Sequence, residues 1–337
     1  MGYHYFPYDA KAVLQELGKE RILQALEKML LIRNLEVRGE AGYQQGKVGG
    51  FYHSYAGQEA IQVGCLMASS AKHWYTTTYR CHALAYLLGA TPREIMAELY
   101  GKATGNAGGR GGSMHLYAER LLGGVGIVGG HVPLATGAAF SIKYQKQAGL
   151  VSFCFLGDGA FAQGAVHESL NMASLWKLPC IYVIENNQWG MGTSVKRAIC
   201  VEPIAEHFAP AYDIKSYSVD GMNLLATYAA FQDAVAYVLK EGKPVLMEAV
   251  TERFRGHSIS DPAFYRTKEE LQHAMERDPI LLVKKLCLEQ GWLTEEGFKA
   301  LDKQQREIVL DAVKFAEESP DPDPIHLEEG VYADPTH

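Results

Sequence analysis

Several common signatures are missing from this sequence. No apolar run approaches the ~20 residues that a membrane-spanning helix needs. The six cysteines, Cys65, Cys81, Cys154, Cys180, Cys200 and Cys287, form no C-x-x-C pair, and several sit inside apolar runs. That scatter argues for buried free thiols in a reducing compartment. There is no basic stripe, and Lys plus Arg, at 32, fall short of Asp plus Glu, at 39, for a net charge of −7. A nucleic-acid-binding role is therefore disfavoured. The first residues, MGYHYFPYDAKAVLQELGKER, have neither the make-up of a secretory signal nor the Arg- and Ser-rich composition of a transit peptide. Phe6 stands where a myristoylation signal wants Ser or Thr. The expectation is a soluble cytoplasmic protein with neither membrane nor nucleic acid as a partner. No internal repeat or low-complexity segment is visible.

What is there points to a packed α/β protein. With 47% of 337 residues hydrophobic, the chain can bury a sizeable core in one large or two modest domains. Apolar residues from Val13 to Leu31 recur at helical intervals, so a helix is expected over 11–40, and others over 56–70 and 82–100. Thr91, Pro92 and Glu94 have the order of a capped helix start. Glycine, with 34 residues in all, crowds between 101 and 137, too densely for regular structure until a helix resumes near 133–147. A strand at 150–156, a helix at 161–177 and a strand at 179–185 make a βαβ unit, which implies a parallel sheet covered by helices on both faces. A helix at 223–240 leads into a further strand, KPVLMEAV. From Thr267, where TKEE reads as a capping box, the chain turns helical and polar, and the Pro- and Asp-rich tail after Ser319 reads as irregular. The expected division is an N-terminal helical segment (1–40), an α/β domain (41–266) and a helical C-terminal extension with its tail (267–337).

The chemistry gathers around FCFLGDGAFAQG, residues 153–164. In parallel sheets, ligands bind beyond the carboxyl ends of the strands. Asp158 follows one apolar strand and Asn186–Asn187 follow the next, so both face one crevice. A carboxylate and an amide oxygen there can hold a hard cation, which in turn bridges phosphate oxygens. Gly157 and Gly159 leave room for that approach, and a helix starting near Phe161 presents its positive end to the same space. Taken separately, Gly-Asp-Gly is an ordinary turn and Asn-Asn an ordinary loop. The ordered pattern of strand, Gly157-Asp158-Gly159, helix, strand and Asn186-Asn187 matches the diphosphate-binding motif of thiamine-diphosphate-dependent enzymes.

The wording of GDGAFAQGAVHESLNMASLWKLPCIYVIENNQWGMGTSVKRA closely resembles the alpha subunit of the pyruvate dehydrogenase complex's first component, in the 2-oxo acid dehydrogenase family. FYHSYAGQEA, TTTYRCHA, GGRGGSMHLY, GIVGGHVPLATG, VDGMN and FRGHSISDPAFYRTKEE extend the resemblance in order from about residue 20 to 318. It implies the thiamine-diphosphate-binding fold, with thiamine diphosphate and Mg²⁺ as cofactors. By motif, Asp158, Asn187 and the carbonyl of Trp189 would ligate the metal. Gly159 and Ala160 would lie along the diphosphate, which Tyr79, Arg80 and His257 would hold. Gly126 and Val128 would meet the cofactor rings, with Ala118 more peripheral and His53 at the substrate end. His53 and His257 are the catalytic candidates. The glutamate that activates the cofactor lies, in this family, on a beta subunit, which implies an α2β2 heterotetramer serving a dihydrolipoyl acetyltransferase core. Pyruvate is the implied substrate, with branched-chain 2-oxo acids or acetoin the alternatives, and the cytoplasmic expectation is that of a bacterial member. Ser258 and Ser260 fall on a loop that mitochondrial relatives phosphorylate, but DPAFYR is one residue shorter here and lacks the second phosphorylatable serine. The loop is expected to order when a diphosphate engages His257.

Each residue also has a plain structural reading: Tyr79 and Arg80 as a stacked surface pair, His53 as a surface or satisfied histidine, and His257 as a histidine bonded to a loop carbonyl. His82, His115, His131 and His167 are read as structural. Gly124 to Gly129 spell G-x-G-x-x-G, the dinucleotide fingerprint, which needs a preceding strand and an acidic residue about 20 positions on. Glu119 and Arg120 argue against the strand, and residues 130–150 contain no Asp or Glu, so the fingerprint is read as fortuitous.

Overall fold

A computed structural model of the chain describes residues 2–326 and 328. Eight strands run through them: β1 (Trp74–Thr78), β2 (Leu121–Val125), β3 (Ser152–Gly157), β4 (Cys180–Asn186), β5 (Trp189–Gly190), β6 (Thr193–Ser194), β7 (Lys215–Asp220) and β8 (Val245–Val250). Six of them form one sheet in the order β2-β1-β3-β4-β8-β7, every pairing parallel. β5 and β6 make a small antiparallel hairpin.

Alternation along the central strands sends side chains to two cores. Phe153 and Phe155 of β3 join Ile181 and Val183 of β4 in one, and Cys154 and Leu156 join Tyr182 and Ile184 in the other. The first core is closed by Ala230, Phe231 and Ala234 of the helix Leu224–Glu241, with Leu31 and Leu35 of the N-terminal helix and Val309, Ala312 and Ala316 of the helix Glu295–Glu318. The second is closed by the helices Val132–Tyr144 and Gly164–Leu175 through Ala135, Ala139, Val166 and Leu170. Both faces of the parallel sheet are covered, as the βαβ pattern predicts. A fully buried phenylalanine on such a strand contributes about 1.5–3 kcal/mol, and Phe153 and Phe155 are both in that state. Five cysteines are buried and Cys200 is exposed. No helix among the described residues is long and apolar enough to cross a membrane.

The predicted helices and strands are present with shifted bounds. The N-terminal helix spans Ala10–Gln44, capped by Asp9 and broken at Gly18, whose φ is 65°. The expected 82–100 helix is two, His82–Leu87 and Pro92–Leu99, because the Thr91–Glu94 capping box starts a new one. The Thr267–Glu270 capping box likewise opens Lys268–Glu276. A single turn, Asp158–Phe161, separates β3 from the long helix, which begins at Gly164 rather than near Phe161. In the tail, Pro324–His326 form one 3₁₀ turn; residue 327 and those from 329 onward lie outside the described residues.

Besides the β5–β6 hairpin, three strands of the large sheet were not expected. β1, WYTTT, is buried despite its threonines, and Thr76 Oγ1 donates to the Phe153 carbonyl at 3.3 Å. β2, LLGGV, lies in the glycine-rich stretch. A Cβ on Gly124 would lie 2.6 Å from Cys81 Sγ, so glycine is what allows that close packing. β7, KSYSVD, closes the far edge of the sheet. The G-x-G-x-x-G segment therefore does begin on a strand, at the last two residues of β2, contrary to the expectation, although the acidic residue it would need is still missing.

Candidate active site

β1 lies between β2 and β3, so the connections leave it in opposite directions and a crevice opens at the carboxyl ends of β1 and β3. A cavity of about 240 Å³ occupies it. Tyr79 and Arg80 enter from the end of β1, Ile127 and Val128 from β2, Asp158 to Ala160 from β3, Asn187 and Trp189 from β4, and His257 from beyond β8. The sheet thus gathers into one space residues that are up to 178 positions apart (79 to 257).

Asp158 is 2% exposed, and its Oδ2 has no hydrogen-bond partner. Burial pushes its carboxyl up to about 6, against the opposing pull of Arg253 and Arg80. A buried carboxylate oxygen left without a donor costs about 1–3 kcal/mol or more, so it marks a place where a cation or donor belongs. Asn187 sits beside it, its amide donating to Gln58 Oε1 at 3.1 Å and its Oδ1 accepting from Trp189 N at 3.3 Å. Gly159 meets the hairpin: a Cβ on it would lie 3.2 Å from the Gly190 Cα. Gly157 faces open space, so its lack of a side chain keeps the tip of β3 clear. Neither glycine has the positive φ that would demand glycine for backbone reasons.

Arg80 is buried, and its guanidinium donates only to carbonyls, Ser54 O at 3.2 Å and His257 O at 2.8 Å. It also lies 5.3 Å from the centre of the Tyr79 ring. His53, Tyr79 and His257 form an aromatic cluster with centroids 4.3 Å (His53–Tyr79), 5.0 Å (His53–His257) and 5.5 Å (Tyr79–His257) apart. Burial, then Arg80, lowers His53 to about 3 and His257 to about 4, so both imidazoles are neutral at pH 7. A guanidinium with no carboxylate partner and neutral rings around it suits an anion.

Of the residues singled out from sequence, Tyr79, Arg80, Val128, Asp158, Gly159, Ala160, Asn187, Trp189 and His257 line the cavity. His53 does not; it packs behind Tyr79 and His257. Gly126 sits over His115, whose Nε2 a Cβ there would meet at 3.3 Å. Ala118 is bridged to Leu121 at the amino end of β2, the end opposite the cavity.

Two further residues were not singled out as site residues, Arg253 outside every motif and His131 inside GIVGGHVPLATG. Arg253, 1% exposed, donates to the Trp189 carbonyl at 3.0 Å and the Met191 carbonyl at 2.7 Å, and also to the Tyr265 hydroxyl. It fixes the hairpin that carries Trp189, and one lone pair of that carbonyl is thereby used. Its partners are two backbone carbonyls and a tyrosine hydroxyl, none of them charged, so no pairing of charges announced it. His131, read as structural, lines the cavity. The His257 loop is closed by its own bonds: Asp261 Oδ2 accepts from His257 N at 2.7 Å and Oδ1 from Ala263 N at 2.9 Å.

A family profile described as "Dehydrogenase E1 component" matches residues 27–325. The chain belongs to the dehydrogenase E1 component family. Among its relatives, a "Pyruvate dehydrogenase E1 component subunit alpha" of Rickettsia conorii is 43% identical over 316 residues, 93% of this chain and 96% of the relative. One of the same name from Rhizobium meliloti is 44% identical over 317 residues, covering 93% and 90%. A mitochondrial one from Kluyveromyces lactis is 41% identical over 317 residues, covering 94% and 76%. Family membership and the cavity meet on the same residues, since every lining residue lies within the matched span.

Proposed function

We propose that this chain is the alpha subunit of a pyruvate dehydrogenase, which with a beta subunit decarboxylates pyruvate and reductively acetylates a lipoyl group on an acyltransferase core. The observation that carries this reading is the buried Asp158 carboxylate with an unpartnered oxygen beside Asn187 and Arg80. Its support is the set of relatives that bear that enzyme's name.

The residues present fit thiamine diphosphate with Mg²⁺. No cluster of three His, Cys, Asp or Glu among the described residues could hold a metal by itself. A Mg²⁺ ion here therefore needs oxygens from its ligand, as is usual for a cation that bridges phosphates. Asp158, the Asn187 side chain and the Trp189 carbonyl would hold the ion; Arg80, Tyr79 and His257 would hold the diphosphate. When bound, the cofactor supplies a thiazolium carbon nucleophile and an electron sink for decarboxylation. The chain's own contribution is to bind charge at one end and exclude water. Val128 and Ile127 line the cavity with apolar surface, and neutral His53 and His257 add no like charge to Arg80.

The site is open on one side. Ile127, Val128 and Met191 line it yet are 74%, 48% and 65% exposed, a rim suited to a covering subunit. A second apolar face, with Leu134, Phe140, Tyr144, Leu175 and Trp176 exposed on neighbouring helices, offers further contact surface. The test is co-expression with a candidate beta chain and an assay of CO₂ release. Pyruvate is expected to outcompete branched-chain 2-oxo acids, with release dependent on thiamine diphosphate and Mg²⁺. No release from pyruvate by a well-formed alpha–beta complex would refute the assignment.

A further inference from the structure

The segment that precedes the first helix runs along the edge of the sheet to the back of the metal-ligand turn. Phe6 N donates to the Ser218 carbonyl of β7 at 2.7 Å, and the Phe6 ring packs on Tyr217 with centroids 5.5 Å apart. His4 N donates to Glu206 Oε1 at 3.2 Å, and its ring Nδ1 lies 3.1 Å from Glu206 Oε2. These contacts deliver the Tyr3 side chain to the carboxyl end of β4, where Asn186 Nδ2 donates to the Tyr3 hydroxyl at 3.2 Å. The hydroxyl donates in turn to Glu248 Oε1 of β8 at 3.2 Å, and Asn186 Nδ2 reaches the same oxygen at 2.7 Å. Asn186 and Glu248 are fully buried. The ring of three side chains therefore uses both amide hydrogens of Asn186 and fixes the direction of its Oδ1.

That Oδ1 accepts from Gln188 N at 3.0 Å. Gln188 stands between Asn187 and Trp189, and its φ of 71° lies in the left-handed region that residues with a side chain seldom occupy. Such a backbone persists only where its surroundings hold it. Here Asn186 holds the Gln188 amide, Val195 N holds the Gln188 carbonyl at 3.0 Å, and Arg253 holds the Trp189 carbonyl. The turn at Gln188 sets the relative direction of the two oxygens on either side of it, the Asn187 amide oxygen and the Trp189 carbonyl.

We infer that Tyr3 is a positioning residue for the metal site: through Asn186, its hydroxyl holds the left-handed Gln188 turn so that Asn187 and the Trp189 carbonyl present their oxygens together. The inference rests on the cavity holding Mg²⁺ with thiamine diphosphate, and it gives the N-terminal segment a part in that binding.

The test uses the purified full chain, with any subunit that co-purifies. Thiamine diphosphate binding is followed by calorimetry at stepped Mg²⁺ concentrations, and the melting temperature is read without ligand. Tyr3→Phe removes one oxygen and keeps the ring that stacks on Tyr5. It is expected to raise the Mg²⁺ concentration for half-maximal binding about tenfold. Its melting temperature should stay within about 2 °C of wild type. His4→Ala breaks the neighbouring ring contact with Glu206 and leaves Asn186 alone, so its Mg²⁺ requirement should match wild type. An unchanged Mg²⁺ requirement in Tyr3→Phe overturns the inference. An equal rise in His4→Ala overturns it too, because any loosening of the segment would then have the same effect. Wild-type protein whose thiamine diphosphate binding does not depend on Mg²⁺ overturns the cofactor assignment instead, a result read before any variant is made.

Discussion

Two buried polar regions meet at the segment Arg80–His82, and they differ in one respect. Behind it, hydrogen bonds are saturated. His82 Nδ1 lies 2.9 Å from Glu36 Oε1 and its Nε2 2.9 Å from Ser113 O, while Tyr52 donates to the other Glu36 oxygen at 2.7 Å. Nearby, Glu98 is fully buried and accepts backbone N–H bonds from Ala107, Gly109, Gly111 and Gly112 at 2.6–3.1 Å. In front of it, Asp158 Oδ2, His53 Nδ1, His131 Nδ1, His257 Nδ1 and Arg253 Nε all lack partners. Saturated networks hold a fold in place, whereas unsaturated ones raise its energy until a ligand supplies the missing partners. The first region is therefore structural, and the second holds the unpartnered polar atoms on which the proposed function rests.

The largest expected effect lies in the saturated region. Glu98→Ala strands four backbone donors around the glycine loop and should lower stability by about 3–5 kcal/mol, read as a shift in the urea midpoint. A shift below about 1 kcal/mol would mean that water replaces the carboxylate and the region is not sealed. Asp158→Ala should do the reverse. Its carboxylate is only partly satisfied, so the melting temperature should hold, while Mg²⁺-dependent thiamine diphosphate binding weakens by about 100-fold or more. Unchanged binding would remove Asp158 from the metal site.

The histidines sharpen the contrast through the sign of their pH dependence. Burial pulls His82 down, but the Glu36 carboxylate and the Ser113 carbonyl outweigh it, and the net shift is upward. A raised imidazole stabilises the fold fully below its unfolded value of about 6.5, and that stability is lost as pH rises through the folded value. His53, His131 and His257 shift downward, to about 3, 4 and 4. Between pH 6.5 and 4 the unfolded chain takes up protons that these folded histidines refuse, so stability falls on acidification. Denaturation midpoints across pH 4–9 should therefore drop on both sides. His82→Asn should flatten the alkaline limb and His131→Gln the acid limb. Histidine ring resonances that titrate together near 6.5 would contradict the contrast.

How much of this was legible from sequence depended on where each partner lies. Asp158 and Asn187 were legible because each ends an apolar strand and the helix between them sets a parallel pair. Tyr79 and Arg80 came only from resemblance, because the strand before them is WYTTT, whose threonines mask its burial. β2 was hidden by its glycines, which the packing against Cys81 requires. His131 and Arg253 were hidden for another reason. Apart from the Tyr265 hydroxyl on Arg253, their partners are backbone carbonyls on distant segments, Phe155, Trp189 and Met191, and a carbonyl leaves no trace in a pattern of side chains.

The smallest effect concerns the loop that carries His257 at the edge of the unsaturated region. It is closed by Asp261, but its tip is in solvent: Phe264 is 91% exposed, and Ala263 before it adopts a φ of 54°. Few apolar contacts hold such a tip, so it should open readily and be cut by a protease with a preference for aromatic residues. If His257 takes a diphosphate oxygen, ligand binding adds an anchor four residues from Asp261 and the opening becomes rarer in proportion to occupancy. Nicking at Phe264 should then slow several-fold with thiamine diphosphate plus Mg²⁺ and in the Asp158→Ala variant should stay fast. Equal rates with and without cofactor in the wild type would mean that the loop is held by Asp261 alone and that His257 takes no part in binding.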